Sequence, residues 1–202
     1  MRKRFIFVSM HETLLTYISE HAKTPLTDSE IEVIKEVFVP RKLKKRQFFL
    51  QEGEVCKYAA FIVKGAMRQY RVDDKGVEHM LRLSTENWWV SDRESYTMLT
   101  PSRYYIDAWE DCQLLTLTRA DFLDRLSLIP AINEMTKKMD DNFAIAAQRR
   151  VSSISLSAEE RYAELIEIYP EFLQRFPQHL IASYLGITRE TLSRLRNHAA
   201  KK

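Results

Sequence analysis

Arg189, Glu190 and Arg194 stand in the stretch Gly186-Ile-Thr-Arg-Glu-Thr-Leu-Ser-Arg-Leu-Arg196, with Thr188, Thr191, Ser193 and Arg196 among them. Side chains of these types suit nucleic acid. A guanidinium is a planar fork that can donate to both O6 and N7 of guanine, and a carboxylate can accept from the N4 amino group of cytosine. Hydroxyls, and the free N–H groups at a helix start, suit phosphate oxygens. From Arg175 to Lys202 six basic residues meet one acidic residue, a net +5 in a chain whose total is +3. The remainder is therefore slightly acidic, and such asymmetry is the footprint of a phosphate-binding end. One pair has a plainer reading. Glu190 and Arg194 are i,i+4 neighbours, and a surface ion pair there is worth about 0.2–0.5 kcal/mol. That leaves Arg189 and Arg196 uncompensated.

These residues need two short elements to present them. Pro177 can open a helix, and Leu180, Ile181, Ala182, Tyr184 and Leu185 continue it. Gly186 suits the left-handed end of that helix, and Thr188 can cap the next through its hydroxyl. Ala182, Gly186, Leu192 and Leu195 fit A-x3-G-x5-L-x2-L. The alanine leaves room at a helix crossing, the glycine makes the turn, and the leucines hold the second helix on the first. The set predicts a helix-turn-helix. At about 100° per residue, Leu192, Leu195, Thr188 and Thr191 gather on one side. Arg189, Glu190, Ser193, Arg194, Arg196 and Asn197 take the other, which is predicted to face solvent.

Upstream, residues 12–23 and 28–38 read as helices, the second opened by a Thr27/Glu30 capping box and ended by Pro40. From 41 to 118 short β-type runs take over. Phe61 and Val63 are expected to share one face, and Asp73-Asp-Lys-Gly76 reads as a hairpin loop with Gly76 at positive φ. Strands at this spacing predict an antiparallel roll or barrel. The basic run Arg41–Arg46 is favoured as a solvated loop into an edge strand over an anion patch, because lysine guards strand edges. Thr118–Leu126 reads as a short helix, and Pro130 opens a long one. Its apolar stripe comprises Ile132, Met135, Met139, Phe143, Ala146 or Ala147, Val151 and Ile154. Such a stripe must lie along its own roll or meet a second copy as a coiled coil, and dimerisation is favoured. Ser157-Ala-Glu-Glu160 is a further capping box, which places a domain boundary near 155–157.

The composition excludes several classes. Cys56 and Cys112 cannot form a CxxC zinc site or a cysteine cluster for iron–sulfur, and read as reduced, buried thiols of a cytoplasmic protein. The run Met1–Val8 is too short for a signal peptide and reads as an extension ahead of an alternative start at Met10. No stretch approaches membrane-spanning length. No Ser/His/Asp set, paired carboxylates or Gly-rich phosphate loop has motif spacing, so no enzyme is expected. His79 reads as a satisfied strand residue, and Trp88-Trp89 as core in preference to an aromatic cage.

The stretch "GITRETLSRLR" resembles the recognition region of the Crp/Fnr transcriptional regulators, a Ser or Thr followed by Arg-Glu-Thr-x-x-Arg. "QEGE" (51–54) and "FIVKGAMRQY" (61–70) are similar to that family's roll signature, and the resemblance spans roughly 12–198. It implies an α+β fold: an N-terminal antiparallel β roll (a cyclic-nucleotide-binding-like jelly roll) with flanking helices over 1–126, a long dimerisation helix over 130–155, and an all-α helix-turn-helix domain over 156–202. Carried over, the base-reading residues are Arg189, Glu190 and Arg194. Phosphate contacts are expected from Thr188, Thr191, Ser193, Arg196, Lys201 and Lys202. The implied partners are a palindromic double-stranded DNA operator, a second copy of the chain and RNA polymerase, with no membrane.

The effector pocket is expected to involve Arg82, Ser91, Asp92, Arg103 and Tyr104, and here the sequence departs from the cyclic-AMP-binding pattern. Ser91-Asp92 replaces a Gly-Glu pair, and Ser102-Arg103-Tyr104 replaces Arg-Ser-Ala. A phosphate cradle needs a close backbone and a placed guanidinium. The effector is therefore expected not to be cyclic AMP, and no cofactor or metal is expected. The chain ends at Lys202, where the family's small β wing would follow, so the wing is expected to be absent or replaced by the basic tail. The rival reading is a ligand-binding adaptor whose C-terminal helices contact a protein.

Overall fold

Short-range chemistry sets the helix boundaries. In the computed structural model, which describes the backbone of residues 2–199 and the side chains of 10–198, the Glu30 N–H donates to Thr27 Oγ1 (3.3 Å) and the Thr27 N–H donates to the Glu30 carboxylate (2.8 Å). Ser157 and Glu160 repeat the arrangement. Each box satisfies two backbone donors that a helix start otherwise leaves orphaned.

The elements in chain order are α1 (Arg2–His21), α2 (Asp28–Val37), β1 (Val39–Leu43), β2 (Phe48–Leu50), β3 (Tyr58–Lys64), β4 (Met67–Val72), β5 (Glu78–Ser84), β6 (Trp89–Val90), α3 (Arg93–Met98), β7 (Tyr105–Ala108), β8 (Cys112–Thr118), α4 (Arg119–Asp121), α5 (Pro130–Ser152), α6 (Ala158–Ile168), α7 (Phe172–Arg175), α8 (Gln178–Leu185) and α9 (Arg189–Ala199). The strands form two four-stranded sheets, ordered β1-β8-β3-β6 and β2-β7-β4-β5. In the first, β8 runs antiparallel to both β1 and β3, with Leu114 opposite Arg41 and Ile62. The fold is α+β with antiparallel sheets and a long helix. By internal contact it divides into two compact units, Met1–Arg68 with Ser84–Asn142, and Gln69–Leu83 with Phe143–Lys202. The division falls inside α5, while 126–130 and 155–157 mark changes of secondary structure.

In the first unit β3 is buried on both faces. Phe61 joins Leu115, Leu117, α1 (Met10, Leu14, Ile18), α2 (Ile34, Val37) and the start of α5 in one core. Its neighbours Ala60 and Ile62 join Leu43, Leu50, Met67, Ile106 and Leu114 in a second. Val63 packs on the same side as Phe61, as its spacing predicts, and both sides are dry because the helices cover one and the sheet stack the other. Trp89 packs edge-on to Phe38 and tilted on Phe61, and Trp88 lies against the second core. Gly65 permits the corner after β3: at φ +102 an added Cβ would come within 2.7 Å of Asp111 O and Cys112 Sγ.

Several expectations are corrected here. α1 begins at Arg2 instead of 12, and Met10 is buried in the core. α2 runs Asp28–Val37 with Phe38 as its cap, so it stops two residues short of Pro40, close to where the sequence put its end. Pro40 itself lies in β1, a sheet-edge strand, where a missing N–H is tolerated. The helix expected over 118–126 is one α-turn running on into a π-turn at Phe122–Leu126. The stripe of α5 divides as well. Ala131, Ile132 and Met135 are buried, whereas every residue from Asp140 to Ser152 is exposed.

The second unit is built on aromatic and aliphatic side chains of α6 to α9. Phe172 is fully buried, stacked on Tyr169 and edge-on to Phe176 and Tyr184. Tyr162, Leu165, Leu180, Ile181, Leu185 and Leu192 are buried around it. The β4–β5 hairpin belongs to this unit. Its loop closes with the Asp73 N–H on Val77 O and with Gly76 at φ +78, as its sequence predicts.

Candidate functional site

α8 begins after Pro177 and ends at Gly186, whose φ of 65° and ψ of 36° are left-handed. The Gly186 N–H donates to Ser183 O and the Ile187 N–H to Ala182 O, so the last carbonyls of α8 are satisfied and the chain reverses. The Thr188 hydroxyl then accepts from the Thr191 N–H (3.2 Å) and starts α9. Leu192 is fully buried and Ala182 nearly so, while Leu195 is half-buried. Cap, turn and buried leucine together fix which side of α9 meets water.

That side carries the charge. Thr188, Arg189, Glu190, Ser193, Arg194, Asn197 and His198 are exposed. Arg194 donates to Thr191 Oγ1 (3.3 Å), which is also 3.1 Å from Thr188 Oγ1. Its own backbone N–H, and then Thr188, hold the Glu190 carboxyl below its usual range, with Arg189 and Arg194 adding a smaller electrostatic pull. The Glu190–Arg194 ion pair that the spacing allowed is not among the ion pairs of the described residues. Arg196 is half-buried, with its charge near Tyr162. Lys201 and Lys202 lie outside the described residues.

The helix pair is anchored by residues to which sequence reasoning gave no such role. The Met80 N–H donates to Ser183 Oγ (3.0 Å), and the Ser183 hydroxyl donates to Glu78 O (3.2 Å). One serine on α8 thus occupies backbone groups of β5, an edge strand. Arg82 of the same strand lies over the Phe143 ring at 5.3 Å. Burial lowers its pKa, against the pull of Tyr184 and Tyr169. Arg150 donates to Tyr184 O (2.6 Å) and stacks over the Tyr184 ring at 4.6 Å. These partners are 34 to 105 positions apart, and no local pattern announces them.

Of the residues expected to line an effector pocket, Arg82 belongs to the second unit and the other four to the first. Asp92 is buried and used internally: it caps α3 by accepting the Ser95 N–H (3.3 Å), and it accepts the Ser102 hydroxyl (2.6 Å). The Tyr104 N–H donates to the same Ser102 oxygen (3.0 Å), and Ser95 donates to Thr100 O (2.5 Å). Ser91 and Tyr104 are half-buried, and Arg103 is exposed. In this unit a different arginine is spent on the fold: Arg68 grips Asp107 with two bonds of 2.9 Å.

Among the described residues there is no cluster of metal-ligating side chains, and no helix is long and apolar enough to cross a membrane. Cys56 and Cys112 are free and buried, and burial pushes the Cys112 thiol up to about 12. His79 Nε2 lies 2.9 Å from the Asp73 carboxylate in the hairpin.

Residues 40–127 match the model of the cyclic nucleotide-binding domain. No curated relative is close enough in sequence to match this chain. Solved structures are similar in fold. FixK2 from Bradyrhizobium japonicum is 17% identical over 82% of this chain and 85% of its own, with a TM-score of 0.68. The c-di-GMP responsive global regulator CLP of Xanthomonas campestris is 15% identical over 87% and 92%, with a TM-score of 0.63. The catabolite activator protein of Thermus thermophilus is 20% identical over 87% and 84%, with a TM-score of 0.54.

Proposed function

We propose that this chain, whose 40–127 segment matches the cyclic nucleotide-binding domain and whose fold is that of Crp/Fnr-type regulators, is a dimeric, sequence-specific DNA-binding transcriptional regulator. The observation that carries the reading is α9. Its inner side is pinned by Leu192 and the Thr188 cap, and its outer side offers Arg189, Glu190 and Arg194 unburied. α8 and α9 act as a helix-turn-helix with α9 in the major groove. The two arginines donate to guanine edges and Glu190 accepts from cytosine. Thr188, Thr191, Ser193, Arg196, Lys201 and Lys202 engage phosphates and set the register.

The second copy docks along α5. About three turns of that helix are exposed on every side and carry Phe143, Ala147 and Val151 of the stripe, a surface that a coiled-coil partner would cover. Twofold symmetry then presents two α9 helices to half-sites about 34–36 Å apart. The β roll is the sensor, and its signal acts by changing how α5 spaces the pair. Its effector is not cyclic AMP. Ser91 stands where the family's glycine would let the backbone approach a phosphate, Arg103 is exposed, and the Asp92 carboxylate is spent on Ser102 and the α3 start.

Selection of bound duplexes from a random pool tests this directly. The expected product is a palindrome with that half-site spacing, and a pool with no enriched sequence refutes the reading. Removing Lys201 and Lys202 should weaken binding to all duplexes alike and flatten the logarithmic salt slope by about 0.9 per lost phosphate contact.

A further inference from the structure

The second unit holds a cavity of about 390 Å³ behind the helix pair, a size that suits a small ligand. It lies between the end of α5, α6 and the start of the α8–α9 turn. Three arginines line it, Arg149, Arg150 and Arg161, and Glu164 is the acidic side chain among its lining residues. Tyr169 and Tyr184 supply ring surface, with Leu165 and Ile168 beside them. Three guanidinium groups against one carboxylate leave the cavity wall with an excess of positive charge, and the Arg161 Nε is buried with no hydrogen-bond partner, so the fold itself does not pair that guanidinium at this atom. The Arg161 guanidinium also lies against the turn, with Nη1 3.6 Å from the point a Cβ on Gly186 would occupy.

We infer that this cavity is a binding site for a small organic anion carrying a flat apolar ring, an aromatic carboxylate or phosphate. The anionic group takes the outer Nη donors of Arg161 and the guanidinium of Arg149. A planar fork matches either oxyanion. The ring lies among Tyr169, Tyr184 and Leu165, where flat surfaces stack at little entropic cost. Arg150 is already spent on Tyr184, over whose ring it lies and whose carbonyl it binds, so it holds the aromatic wall. A ligand seated here touches Leu185 and Gly186 and braces the turn that sets the direction of α9. The site goes beyond the DNA-binding reading and needs no DNA for its test.

The experiment is isothermal titration calorimetry of the full chain with 1-naphthoate and 1-naphthyl phosphate, and with neutral 1-naphthalenemethanol and inorganic phosphate as comparisons. Saturable binding of either naphthyl anion is expected, and the tighter of the two identifies the oxyanion. Arg161→Gln should weaken it about tenfold or more, the loss of one charge-assisted contact. Arg149→Gln, a change at an exposed position that leaves the core intact, should weaken it in the same direction. Arg41→Gln, in the other unit, should leave it unchanged. The inference is overturned if neither anion binds saturably. It is equally overturned if the neutral alcohol or bare phosphate binds as tightly, or if both cavity variants bind like the parent.

Discussion

Two helix starts in this molecule use the same device for opposite ends. At α3 the cap is Asp92, buried, and its second oxygen is consumed by Ser102. At α9 the cap is Thr188, exposed, and the residues beside it, Arg189 and Glu190, are exposed too. Sequence likeness marked both segments as ligand-reading. In the first, polar groups are paired with one another and removed from water, so they hold the loop between β6 and β7. In the second, the cap fixes the helix while its charged neighbours remain available. A polar residue is free to recognise something outside the chain only where the fold has not already used its bonds.

The contrast can be broken in several ways. Phe172→Ala should be the largest perturbation, because it opens a cavity beneath three aromatic rings. It is expected to cost about 3–5 kcal/mol in denaturant unfolding, and a loss below 1 kcal/mol would mean that α7 does not organise the second unit. Asp92→Ala should cost about 1–3 kcal/mol by stranding the Ser95 N–H and the Ser102 hydroxyl. An unchanged midpoint would show that the carboxylate is not structural and would return it to the ligand-facing class. Arg189→Ala should leave stability within about 0.5 kcal/mol yet cost about 1–3 kcal/mol in DNA affinity and relax preference at one base pair. Selected sequences identical to those of the parent would remove it from the reading head. Thr188→Ala should cost about 0.5–2 kcal/mol through the lost cap, seen as earlier melting of the second unit. With no change there, Leu192 alone holds α9.

Much of the fold was legible because its cues are local. Thr27 with Glu30, Ser157 with Glu160, Gly76 in its hairpin and Gly186 in its turn each act within four residues, and the structure has each where the sequence put it. Most outward residues of α9 followed from spacing and one buried leucine, but Arg196, expected outside, is half-buried, and Thr188, expected on the inner side, is exposed. That Pro40 also lies in a strand was not legible, because its place there depends on whether a partner strand needs its N–H, and that partner, β8, lies more than seventy residues on. The unbroken stripe of α5 gave no hint that its first third is buried while the rest stays open. Ser183, Arg150 and Arg161 were missed for a like reason, and Arg82, expected in an effector pocket, lies over Phe143 instead: their significance lies in what they touch or fail to touch.

By itself the sequence determined the capping boxes, the two glycine turns, the strand-rich middle and a basic outer face on the last helix. These depend on backbone preferences and on side chains a few positions apart, which any chain reports locally. Only the tertiary structure decided that β3 is covered on both faces, that Asp92 is consumed within its loop, that β5 is tied to α8 through one hydroxyl, and that Arg161 is left with an unmatched donor. Burial and hydrogen-bond satisfaction are properties of neighbours in space, and they exist only once distant segments have met.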